Sequence, residues 1–196
     1  MGFRSMFMKL IFATHNLNKL AEIKAILPPH IEIVSLSDIG CNQPIEEWGK
    51  TIEQNAVIKA QYVWENYHLN CFSDDTGLEV EALDNAPGVY SARYAGPENN
   101  AQKNIVKLLS ELKDKDQRKA RFKTVIALLI DGELHQFEGI INGKISETIE
   151  GEGGFGYDPV FIAEGYDKTF AQLPKNEKNK ISHRAIAFQK LAEFLK

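Results

Sequence analysis

Asp131-Gly132 stands between two long runs, "RFKTVIALLI" and "ELHQFEGIING". An Asp-Gly pair takes the left-handed backbone of a two-residue hairpin turn at little cost. It therefore predicts two antiparallel strands, and "GKISETI" extends the meander beyond them. The start of the chain has a different rhythm. "KLIFA" reads as a buried strand and "THNLNK" as a turn. "LAEIKAIL" reads as a helix stopped by Pro28-Pro29, and "IEIVSL" as a second strand. "TIEQNAVIKAQYVWENY" is the strongest helical pattern, with Ile52, Ala56, Ala60, Val63 and Tyr67 on one stripe and Thr51 placed to cap it.

"LNCFSDD" then returns to strand and "GLEVEAL" alternates. "DNAPGVYSARYAGPENN" reads as a long loop and "AQKNIVKLLSELK" as a helix. "GEGGFGYDP" is a glycine-rich loop before the short strand "PVFIA". "HRAIAFQKLAEFLK" is a closing amphipathic helix. Helix–strand alternation followed by antiparallel strands predicts an α/β (mixed α+β) chain with a mixed sheet covered by helices. The 196 residues suit one domain, or two small lobes sharing a sheet. Residues 1–7 read as an unstructured lead-in, because the first clear pattern begins at Met8; residues 8–196 read as the single domain.

Charge narrows the function classes. A formal net charge of −4 opposes diffuse binding to nucleic acid or anionic membrane. No apolar run reaches the roughly 18 residues of a membrane helix, and "MGFRSMFMKL" lacks a signal-peptide hydrophobic region. Cys41 and Cys71 form no zinc-type or C-x-x-C spacing and are expected to be reduced. The expected location is the cytoplasm.

Several polar clusters carry chemistry. Asp74 and Asp75 stand side by side at what reads as the end of a buried strand, where a metal ion or a solvated turn would accommodate them. "FATHNLNK" is strand, polar turn and helix start: free N–H groups and Lys19 favour an anion there, and an ordinary Asn-capped helix start is the plainer alternative. Gly151, Gly153 and Gly156 match G-x-G-x-x-G, but a strand follows instead of a helix, so the dinucleotide reading fails. Phe155 among these glycines is either a stacking platform or a loop anchor. Lys175, Lys178, Lys180, His183 and Arg184 crowd the start of the last helix, either as a solvated basic loop or as an anion site, with Ser182 as the candidate N-cap. Lys59, at the edge of its helical stripe, either snorkels or reaches a phosphate. Glu46 and Glu47 add carboxylates. Mg2+ is usually held by one or two carboxylates plus substrate phosphates, so nucleotide phosphoester hydrolysis is the reaction class this set points to.

"FATHNLNK", "SDDTGL", "APGVYSARYAG", "GGFGYDP" and "SHR", in this order, make the chain resemble the inosine/xanthosine triphosphate pyrophosphatases, the RdgB-like non-canonical purine NTP pyrophosphatases. The resemblance runs from Met8 to the C-terminus. It implies Mg2+-dependent hydrolysis of ITP, dITP and XTP to the monophosphate plus pyrophosphate. It also implies an elongated mixed sheet with two lobes and a substrate cleft, and a homodimer. By this resemblance the phosphate turn is Thr14, His15, Asn16, Leu17, Asn18 and Lys19. Glu46 and Asp75 are the metal ligands, Asp75 is also the catalytic proton acceptor with Asp74 beside it, and Lys59 is a phosphate partner. Thr76 keeps the hydroxyl of a common Ser. Phe155, Gly156, Tyr157 and Asp158, with Lys178, His183 and Arg184, bind the base. His15 departs from a common Gly or Ser. On this account Mg2+ and a triphosphate neutralise the carboxylate pair. The competing readings are a Maf-like pyrophosphatase of modified nucleotides and a non-catalytic nucleotide-binding or RNA-binding module, the latter disfavoured by acidic charge and absent RNP-type aromatics.

Overall fold

The computed structural model describes residues 7–196. The expected lead-in lies outside the described residues except for Phe7. Six strands form one sheet in the order β2-β1-β3-β4-β5-β6: β1 (Met8–Phe12), β2 (Ile31–Ser35), β3 (Cys71–Val80), β4 (Lys119–Ile130), β5 (Glu133–Ile145) and β6 (Phe161–Ala163). β1 runs parallel to β2, pairing Leu10 with Ile33, and parallel to β3, pairing Phe12 with Phe72. β5 and β6 are antiparallel, with Lys144 opposite Ile162. The sheet is mixed, and it is flanked by helices α1 (Leu17–Ile26), α2 (Ile52–Tyr67), α3 (Ala101–Glu111), α4 (Lys175–Lys180) and α5 (His183–Phe194).

Local chemistry accounts for most boundaries. A parallel pair needs a crossover, and α1 supplies it between β1 and β2. Asn16 caps α1 through its side chain, and the helix ends just before Pro28. Thr51 Oγ1 accepts the Gln54 N–H at 3.1 Å, starting α2 as the sequence predicts. Ile52, Ala56, Ala60 and Val63 of its stripe are buried. Asp131 and Gly132 both have positive φ, 51° and 83°, and turn β4 into β5. Ser182 Oγ accepts the Ala185 N–H at 3.3 Å at the start of α5.

Four local expectations change. "LNCFSDD" and "GLEVEAL" are one ten-residue strand, so the two aspartates lie mid-strand. "GKISETI" is no separate strand: β5 runs on to Ile145. Pro159 and Val160 belong to a 3-10 turn, leaving only Phe161–Ala163 as strand. The basic segment from Lys175 is a short helix of its own.

The fold divides into two compact units. The first runs through Asp75 and takes in Val125–Glu138 and Ala187–Lys196. Its core joins Leu10, Phe12, Leu20, Ile23, Phe72, Ile126, Leu128, Phe188 and Leu191. Phe12 stacks on Phe72 at 4.3 Å and meets Phe188 edge-on at 5.9 Å. The second unit comprises Thr76–Thr124 and Gly139–Ile186. Its core is built from Leu78, Val80, Ile105, Leu108, Phe122, Phe161 and Phe170. Arg118 closes one edge of it by donating to the carbonyls of Leu112, Ile145 and Ser146 at 3.0, 2.8 and 2.7 Å. Among the described residues no helix is long and apolar enough to cross a membrane.

Candidate active site

Successive side chains of a strand point to opposite faces of the sheet. On β3, Phe72 packs into the core that holds α1 residues Leu20 and Ile23. The Cys71 thiol donates to Ala60 O of α2 at 3.2 Å, and the Ser73 hydroxyl donates to Ala56 O of the same helix. Alternation therefore sends Asp74 to the α1 side and Asp75 to the α2 side. The two carboxylates are adjacent in sequence but parted by the backbone, which removes most of the repulsion that the dipeptide suggests.

A lysine serves each side. Lys19 Nζ lies 2.7 Å from Asp74 Oδ2, and the Asp74 side chain is only 1% exposed. Lys59 Nζ donates to the Asp74 backbone carbonyl at 2.5 Å and pairs with Glu47 at 2.7 Å. Burial opposes the charge on Lys59, but Asp74, Asp75 and Glu47 outweigh it and hold its pKa above the ordinary lysine value. The protein's own ammonium groups thus offset part of the charge on the acidic strand. Asp75 Oδ2 is buried with no hydrogen-bond donor against it, although the residue has other partners.

The turn before α1 is mostly self-satisfied. Thr14 N–H donates to Phe12 O at 2.7 Å, and Asn16 N–H donates to Thr14 Oγ1 at 3.1 Å. Asn16 Oδ1 accepts the N–H groups of Asn18 and Lys19 at 3.0 and 3.2 Å. Asn16 and Asn18 therefore build the cap, and the cap occupies N–H groups that are expected from the sequence to face an anion. The N–H groups of His15 and Leu17, together with the Lys19 ammonium, remain the donors with which this turn can meet a phosphate.

The acidic segment before α2 is fastened at its far end. Gly49 N–H donates to the buried Asn55 Oδ1 at 2.8 Å, and Lys50 N–H donates to Gln54 Oε1 at 2.7 Å. A Cβ on Gly49 would stand 2.5 Å from that Asn55 oxygen, so the close approach requires glycine. Glu47 faces Lys59, while Glu46 is exposed. Spacing does not show which of two adjacent glutamates turns inward, so the sequence does not single out Glu47 as the partner of Lys59. Among the described residues no group of three or more His, Cys, Asp or Glu side chains is gathered to hold a metal ion. An all-carboxylate donor set nonetheless suits Mg2+, which keeps several waters and takes the rest of its oxygens from phosphates. Both cysteines are free and buried, and burial pushes the Cys71 thiol up to about 12, which leaves it inert.

The remaining predicted residues belong to the second unit. Thr76 Oγ1 lies 2.8 Å from Thr124 Oγ1. Gly154 has φ +74°, and a Cβ there would collide with the Asp158 carboxylate. Asp158 is buried; it accepts the Phe155 N–H at 2.9 Å and forms an ion pair with Lys178. Lys178 Nζ also lies 4.6 Å from the centre of the Phe155 ring, which is itself 73% exposed. Asp158 and Lys178 thus hold up a glycine loop that presents an aromatic face. Tyr157 is buried and donates its hydroxyl to Ser91 O at 2.6 Å, so it anchors that loop. Gly156, with φ +57°, lets the chain turn between them. His183 stacks parallel on Phe122 at 5.1 Å, and Arg184 is half-buried in the first turn of α5.

The "GVYSAR" stretch, part of the expected long loop, has a framework role. It is a 3-10 turn, Gly88–Arg93. The Ser91 hydroxyl accepts Leu78 N–H at 2.9 Å, and Asn104 Nδ2 donates to Ala92 O at 2.9 Å.

Comparison with known proteins places the sequence and the fold among relatives. A family model described as the Ham1 family matches residues 10–194. A dITP/XTP pyrophosphatase of Christiangramia forsetii is 58% identical over 96% of this chain and 99% of its own length. Its counterpart in Bacillus subtilis is 49% identical over 94% of this chain and 96% of that protein. The structure of the Staphylococcus aureus Ham1 protein superposes with a TM-score of 0.90 at 39% identity, covering 95% of this chain and 97% of that one.

Proposed function

The chain belongs to the Ham1 family, and from that premise we propose that it hydrolyses the non-canonical purine nucleoside triphosphates dITP, ITP and XTP to the monophosphate and pyrophosphate. The observation that carries this reading is the β3 carboxylate pair, split across the sheet with a lysine on each side. It stands in a chain nearly half to well over half identical, along almost its whole length, to dITP/XTP pyrophosphatases.

The first unit supplies the groups for the triphosphate. Lys19 and the N–H groups of His15 and Leu17 are the donors for phosphate oxygens, with Thr14, Asn16 and Asn18 shaping their turn. Lys59 adds charge from α2. Glu46 and Asp75 are the residues that would hold a divalent cation, Mg2+ by the chemistry of the donor set. When bound, that ion supplies electrostatic relief for charge building on the phosphate oxygens. Asp75 accepts the proton of the attacking water. The second unit supplies the groups for the purine: the exposed face of Phe155, fixed by Gly156, Tyr157, Asp158 and Lys178, and the donors of His183 and Arg184. Thr76 keeps a hydroxyl next to the catalytic aspartate in sequence. The resemblance further supports a homodimer.

Turnover of ITP, dITP, XTP, GTP, ATP and a modified UTP, with and without Mg2+, tests the reading. Mg2+-dependent preference for the first three is expected. Preference for the modified pyrimidine would favour the Maf-like alternative, and nucleotide binding without turnover would favour the non-catalytic one.

Base choice has its own test. Hypoxanthine and xanthine carry a C6 carbonyl, which accepts hydrogen bonds, whereas adenine carries an amino group there. Arg184 has donors only. Sites built on specific hydrogen bonds reject a mismatched partner strongly, because their groups are left unpaired. Arg184→Ala should therefore lose kcat/KM on ITP by about 10²-fold while ATP changes far less. An unchanged ITP/ATP ratio would place base selection on other residues.

A further inference from the structure

One side chain joins the two segments of the first unit proposed to handle triphosphate and metal. His15 Nε2 lies 3.3 Å from the backbone carbonyl of Gln43, 28 residues away. A carbonyl can only accept, so Nε2 carries the proton in this contact. Among the described residues this is the one side-chain hydrogen bond between the turn at 14–19 and the acidic segment at 41–50.

That segment needs such a fastening. At its start Cys41 N–H donates to Leu36 O at 2.9 Å. At its end Glu47 meets Lys59, and Gly49 and Lys50 are tied to Asn55 and Gln54. Between these points, Gln43 O is held by His15 and by a long 3.8 Å contact from the Cys41 thiol. Pro44, Ile45 and Glu46 follow directly. Ile45 is half-buried while Glu46 is exposed and Trp48 is 76% exposed, so packing fixes this stretch only in part.

We propose that His15 is a positioning residue that holds the Gln43–Glu47 segment against the phosphate turn, so that the Glu46 carboxylate and the turn's phosphate donors are presented together. This rests on the function proposed above. Its weight is that of one hydrogen bond: a threefold to tenfold effect is expected, roughly. The effect should fall on metal and substrate binding, because His15 is not assigned to the reacting atoms.

The experiment uses the full chain with Trp64→Phe, which leaves Trp48 as the only tryptophan, since the sequence has two. Trp48 emission is followed during Mg2+ titration without nucleotide, and ITP kinetics are measured separately. His15→Ala should move the Mg2+ half-point and the KM for ITP upward by about threefold to tenfold, with kcat within about twofold and the melting temperature unchanged. His15→Gln, which can donate at similar reach, should restore both. An unchanged half-point in His15→Ala overturns the proposal. So does a shift that Gln fails to restore, or a wild-type Trp48 signal indifferent to Mg2+. The fluorescence arm requires no turnover, so a wild-type enzyme inactive on ITP would fail the functional reading by a different measurement.

Discussion

Asp75→Asn is expected to fold normally and to lose turnover on ITP by about 10³-fold or more, since the loss of a general base alone is worth about 10²–10⁴. The amide keeps the shape of the carboxylate, so β3 and its neighbours need not move. It removes one negative charge from the field around Lys59, but Asp74 and Glu47 remain to hold that ammonium. What the amide cannot do is accept a proton from water or serve as an anionic metal ligand. The fold should therefore tolerate the change while the chemistry does not. Single-turnover rates on ITP together with thermal melting separate the two. Wild-type turnover in a folded Asp75→Asn protein would remove Asp75 from the mechanism.

Lys19→Met is expected to damage stability and substrate handling together. Asp74 is buried and pairs with Lys19 at 2.7 Å. Removing one partner of a buried pair typically costs about 3–5 kcal/mol, because the remaining charge keeps its desolvation penalty. Lys19 is partly exposed, so the low end, about 3 kcal/mol, is expected. For a chain of this size that lowers Tm by roughly 6–12 °C. The double variant Lys19→Met/Asp74→Asn removes the stranded charge and should recover most of that stability. It should not recover the KM for ITP, because the phosphate donor is still missing. Recovery of both would make Lys19 purely structural. A Lys19→Met protein as stable as wild type would mean that other contacts of Asp74 carry its burial.

The parts of this molecule legible in sequence are those set by neighbours along the chain. The Asp131-Gly132 turn, the Thr51 and Ser182 caps and the buried stripe of α2 follow from local geometry, and each stands as read. β3 reads as two pieces in the sequence because Ser73 and Asp74 look like a strand end. Their partners, Ala56 and Lys19, lie 17 and 55 residues away, and only the tertiary fold satisfies them in mid-strand. The same limit explains Glu47, whose inward turn depends on Lys59. It also explains Tyr157, whose place in the core is fixed by the distant Ser91 carbonyl. Motif order proposes the site residues as a set, but not which of them hold one another. Asp158 and Lys178 read as two base contacts, yet they form an ion pair behind the Phe155 loop.

The most direct test of the account is the identity of the products from ITP in the presence of Mg2+. Hydrolysis as proposed gives IMP and pyrophosphate in equal amounts, with no IDP at any time. Release of IDP and inorganic phosphate, or no product at all from the folded protein, would contradict it.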